Sequence, residues 1–65
     1  MNIIRMQKND KGRGWMLTIT EGSEPDAPAV IYLTAAGSEI EAYAEALRVS
    51  AALVDATGKV WTVAP

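Results

Sequence analysis

The side chains of this 65-residue chain that could do chemistry are eight carboxylates and six bases, because it has no histidine and no cysteine. Without either residue, an imidazole-activated serine or a thiolate nucleophile cannot be assembled within the chain. Acid–base work would fall to carboxylates alone. No acidic cluster has the spacing and glycine turn of a calcium loop, and a thiolate zinc site is excluded by composition. The run Gly12-Arg13-Gly14-Trp15 is too short to cradle a phosphate, and no Lys-Ser/Thr pair follows it. The expectation is a protein that is not an enzyme, with no cofactor and no metal. Its charges then act as surface charges.

Those charges are unevenly placed. Arg5, Lys8, Lys11 and Arg13 face only Asp10 in residues 1–13. Residues 14–47 hold Glu21, Glu24, Asp26, Glu39, Glu41 and Glu45 with no base. The net charge of −2 therefore conceals a basic corner and an acidic side. The loop acids and the helix-start acids could lie at the same end of the sheet, and the sequence leaves their convergence open. Glu39 and Glu41 also have a structural task, since negative charge favours the positive end of a helix dipole.

The element that must position them is a helix over residues 39–54. Ser38 is a good N-cap, and Glu41 three residues on completes an S-x-x-E capping box. Apolar residues at Ile40, Ala44, Leu47, Ala51 and Val54 make one continuous stripe. This is the stripe expected to pack on the sheet, with Tyr43 at its border. A second line, Ala42, Ala46, Val49 and Leu53, is a candidate partner interface, because so small a chain has little mass to bury two helix faces. Gly58 is expected as the left-handed residue near the helix end.

The remaining apolar runs alternate with the period of strands. Residues 2–8 place Ile4 and Met6 inward. Residues 9–14 are a turn rich in Asn, Asp and Gly. Residues 15–21 are the clearest strand, with Trp15, Leu17 and Ile19 on one face. A polar connection over 22–28 leads to a third strand over 29–35, apolar on both faces, which suits a central or covered strand. A fourth strand is expected over 59–64. The fold class is α+β in the order β-β-β-α-β: an antiparallel meander, one helix packed on one face, and a C-terminal strand parallel to the first and beside it. Trp15 and Trp61 are expected in or beside the core. The other sheet face, with Met16, Thr18 and Thr20 near Ile3 or Ile31, is apolar enough for a dimer or partner surface.

The whole chain, 1–65, is expected to be a single small domain near the lower size limit for independent folding. With no cysteines for staples, a reducing cytosolic setting is expected. No signal peptide is visible at the start, and no run approaches the ~20 apolar residues that span a bilayer.

Two resemblances follow from the two charge groups. The acidic side, set in a very small cysteine-free α+β chain, resembles phage-encoded inhibitors of the anti-CRISPR type over the whole chain, without a motif. That resemblance implies a cytoplasmic protein of an infected bacterial cell that blocks a host effector. The expected partner is a subunit of a type I CRISPR effector complex, and the inhibitor acts as a monomer or homodimer. In several such proteins carboxylates occupy the groove that would hold DNA phosphates, and the resemblance implies that Glu21, Glu24, Asp26, Glu39, Glu41 and Glu45 form the binding surface here, as a DNA mimic. The basic hairpin with Arg5, Lys8, Lys11 and Arg13, opening on Gly14-Trp15, resembles the arm-binding domains of phage-type tyrosine recombinases over about residues 3–54. That resemblance implies DNA as the partner. The acids and the uncharged third strand depart from it, since phosphate binding needs many cationic contacts. A small adaptor or oligomerising subunit is the third expectation.

Overall fold

A computed structural model describes residues 1–12, 14–22 and 26–64 of the chain. The elements are β1 (Ile3–Lys8), β2 (Trp15–Thr20), β3 (Ala29–Leu33), α1 (Glu39–Thr57) and β4 (Thr62–Ala64). They form one four-stranded mixed sheet in the order β3-β2-β1-β4. β1 and β2 pair antiparallel from Ile3↔Thr20 to Lys8↔Trp15, and β2 and β3 from Met16↔Leu33 to Thr20↔Ala29. β4 returns parallel to β1, with Ile4 opposite Val63. The α+β order and the placement of the last strand agree with the sequence reading. Among the described residues no helix is long and apolar enough to cross a membrane.

Alternation along the strands builds the core. Ile4 and Leu17 are fully buried on the helix side, with Met6, Ile19 and Val63 packed around them. Trp61, 7 % exposed, closes the core where the chain leaves the helix. The first hairpin needs Gly14, at φ +87°, because a Cβ there would stand 2.6 Å from the Thr34 carbonyl oxygen. That close approach is what lets the end of β3 lie against the start of β2. The Thr34 N–H donates to the Trp15 carbonyl at 2.9 Å.

Helix α1 begins at Ser38, whose Oγ accepts the Glu41 N–H. Glu41 Oε2 accepts the Gly37 N–H at 2.7 Å, so the capping box closes one residue further out than its usual form. At the other end Gly58 takes φ +70° and donates to the Val54 carbonyl, which lets the helix run through Asp55, Ala56 and Thr57.

The face of α1 that packs on the sheet is opposite to the expectation. Ala42 and Ala46 are fully buried, and Val49 and Leu53 pack against the core. This line is therefore the helix's core seam and not a free partner interface. Ile40, at 83 % exposure, and Leu47 and Val54 lie in solvent. Two hydrogen bonds hold the helix in this rotation. Ser50 Oγ donates to the Trp61 carbonyl at 2.8 Å, and Thr57 Oγ1 accepts from Trp61 Nε1 at 2.9 Å. Both anchors flank the Ala42–Leu53 line. The small alanines also let the helix backbone come down over Ile4 and Leu17, whose bulk fills the space between the layers.

α1 lies over β4, β1 and β2 and leaves β3 uncovered. All five residues of β3 are exposed. The third strand is thus a bare edge strand, where its two-sided apolar composition suggested a central or covered one.

Candidate functional site

The uncovered strand and the near flank of the helix enclose an open groove. Its upper part is a hollow of about 420 Å³ lined by Tyr32, Leu33, Thr34, Ala36, Glu41, Glu45 and Arg48. Its lower part, about 370 Å³, is lined by Ile19, Glu21, Pro28, Val30, Leu53, Thr57 and Trp61. Val30 and Tyr32 point into it because they stand opposite Ile19 and Leu17 in the ladder and so share the helix-side face.

The polar centre of the groove is Glu45, which is held from both sides. Tyr32 Oη donates to Glu45 Oε1 at 3.3 Å, and Arg48 Nη2 donates to Glu45 Oε2 at 2.7 Å. The Arg48 side chain is 76 % exposed, so this pair adds only about 0.3–0.5 kcal/mol to stability. It sets a carboxylate, a guanidinium and a phenol side by side on one open wall. Glu41 lines the same hollow, with one carboxylate oxygen engaged by the Gly37 N–H.

The expected acidic surface is not one patch. Glu21 and Asp26 flank the β2–β3 connection, at the end of the sheet where α1 finishes. Glu21 shares its hollow with Thr57 and lies 3.5 Å from Lys59 Nζ. β3 then carries the chain the length of the sheet before α1 starts, so Glu39 and Glu41 stand at the opposite end. Thr57 is eighteen residues beyond Glu39, about 27 Å along the helix. Glu24 lies outside the described residues. The acids that do come together are Glu41 and Glu45, on the groove wall.

The basic residues are also divided. Arg5 is exposed on the sheet face away from the helix, opposite Thr18 and Ala64. Lys8 and Lys11 are exposed at the hairpin end, and Arg13 lies outside the described residues. The hairpin end is also the helix-start end: Met6 and Glu39 line one hollow there with Ile40 and Tyr43. The two lysines therefore share their end of the molecule with Glu39 and Glu41. Phosphate tracking calls for a basic patch or stripe, and among the described residues Arg5, Lys8 and Lys11 do not form one.

Tyr32 and Arg48 were not singled out by their sequence context as site residues. The available signal was the absence of charge across residues 29–35, which marks a strand that nothing in its own pattern protects. Among the described residues no group of three or more acids is close enough to hold a metal ion. Comparison of the chain with protein-family models, with curated proteins and with solved structures finds no match.

Proposed function

We propose that this chain is a non-catalytic, protein-binding inhibitor of the anti-CRISPR type, which occupies one subunit of a type I CRISPR effector complex in the bacterial cytoplasm. The observation that supports this reading is the adjacent Tyr32, Glu45 and Arg48 along an open groove. Tyr and Arg are residue types that dominate interface energetics. Glu41 and Glu45 give the wall its acidic character. The separated loop acids, Glu21 and Asp26, act as rim charges that affect association rate more than lifetime.

The test is interference in cells and binding in vitro. A strain with an active type I system is challenged with a targeted plasmid, with and without the chain. The inhibitor reading expects transformation to recover, and a stoichiometric, nuclease-insensitive complex to be captured from the lysate. Glu45→Lys should weaken that complex at least tenfold while far-UV circular dichroism stays native. A triple reversal of Glu21, Glu24 and Asp26 to Lys should slow association and leave dissociation nearly unchanged. Transformation that does not recover, together with no captured effector subunit, would sink the reading. Capture that vanishes with nuclease would transfer it to DNA.

A further inference from the structure

The edge of the sheet at β3 carries five exposed residues, AVIYL, with no charge and no proline among them. Edge strands of natural proteins are usually blunted by lysine, proline or a bulge. The opposite edge, β4, is only three residues long. We propose that β3 pairs antiparallel with β3 of a second copy of this chain, joining two sheets into one across a two-fold axis at Ile31.

The phase of the backbone selects this register. The Thr34 N–H bonds to the Trp15 carbonyl, so Thr34 faces β2. Bonding direction alternates along an antiparallel strand, so Tyr32 and Val30 also face β2. Ala29, Ile31 and Leu33 therefore aim their N–H and C=O groups at the open edge. Centring the two-fold on Ile31 sets Ile31 against the second copy's Ile31 and Ala29 against its Leu33. All three outward residues of each copy are then used, for about six backbone hydrogen bonds. Centring on Val30 or on Tyr32 uses only two outward residues per copy and gives about four. In the Ile31 register Val30 also stands beside the second copy's Tyr32, so each large side chain meets a smaller one on the same face. No like charges meet, because the strand has none.

Area sets how strong the pairing is. Val30, Ile31 and Leu33 are 62–67 % exposed and Tyr32 is 41 % exposed. At on the order of 100 Å² per side chain, two copies offer at most roughly 800 Å², below the ~1,200 Å² at which stable specific interfaces begin and in the range of weak, transient ones. The dimer is accordingly reversible and concentration-dependent. It closes on itself, because a two-fold contact consumes the β3 edge of both copies. It uses Tyr32, which also lines the groove wall beside Glu45, and leaves Glu41, Glu45 and Arg48 outside the paired strands.

Sedimentation velocity of the full chain across concentration tests the pairing. The expected result is a species of twice the chain mass. Ile31→Lys, at an exposed position, should keep native circular dichroism and weaken dimerisation at least tenfold by placing two ammonium groups at the axis. The chain has no cysteine, so Ile31→Cys and Leu47→Cys report contacts cleanly on oxidation: the first should cross-link and the second should not. A wild-type monomer at every soluble concentration overturns the proposal. So does a dimer that Ile31→Lys leaves intact, or one that cross-links through Leu47 and not through Ile31.

Discussion

Thr57 shows how much one hydroxyl can organise in a small fold. Its Oγ1 donates to the Leu53 carbonyl at 2.6 Å and accepts from both Trp61 Nε1 and the Lys59 N–H. It thus binds the last helical turn, the connection and the largest core side chain at one point. Asn2 does similar work at the same end of the sheet, donating to the Val60 carbonyl and accepting from the Gly22 N–H. Thr57→Val keeps the shape and removes the acceptor, which strands an indole N–H on a side chain only 7 % exposed. The expected cost is about 1–3 kcal/mol, measurable by urea unfolding. Thr57→Ser should restore most of it. Glu45→Ala should cost less than about 0.5 kcal/mol, since its partners remain solvated. The two substitutions separate a residue that holds the fold from one that shapes the surface.

The helix is where local pattern and tertiary contact part company. Its start was legible in Ser38 and Glu41, and its end in Gly58, because caps are local chemistry. Its rotation was not legible. The line through Ile40, Leu47 and Val54 and the line through Ala46, Val49 and Leu53 are both apolar, and the first is the bulkier. The choice depends on Ser50 and Thr57 reaching Trp61, which lies beyond the helix in sequence and becomes a neighbour only once β4 is placed. The strands were easier, because a period of two assigns Ile4 and Leu17 to the same side of the sheet whatever covers them. A pair of substitutions checks the helix assignment. Ala46→Arg drives a charge into the core seam and should cost more than about 3 kcal/mol, enough to unfold a domain this small. Leu47→Arg, one residue on but 47 % exposed, should change stability by less than about 1 kcal/mol.

At the scale of the whole molecule, the position of α1 over three of four strands decides which surfaces are offered. The sequence order was sufficient to place β4 beside β1, because a crossover through one helix leaves few alternatives. It was insufficient to say whether the acids converge, since that depends on β3 running the full length of the sheet between Asp26 and Glu39. Two-fold pairing through β3 sets both helices on the same side. Helix axes over β1 and its counterpart would then stand five strand spacings apart, about 24 Å, with the two groove walls facing each other across Val30 and Tyr32 of both copies. Hydrogen exchange reads this arrangement directly. The amides of Val30, Tyr32 and Thr34 should be protected at all concentrations, and those of Ala29, Ile31 and Leu33 only where the dimer forms. A different consequence belongs to the parallel pairing of β1 with β4, which joins Ile3 to Thr62. During synthesis β1 is made well before the strand and tryptophan that complete its surroundings, with α1 between them. Until Trp61 and Val63 arrive, Ile4 has no finished core to enter. Closing this span is entropically costly, so β1 gains its finished core only once β4 docks beside it, and a chain lacking residues 61–64 is expected to lose native circular dichroism.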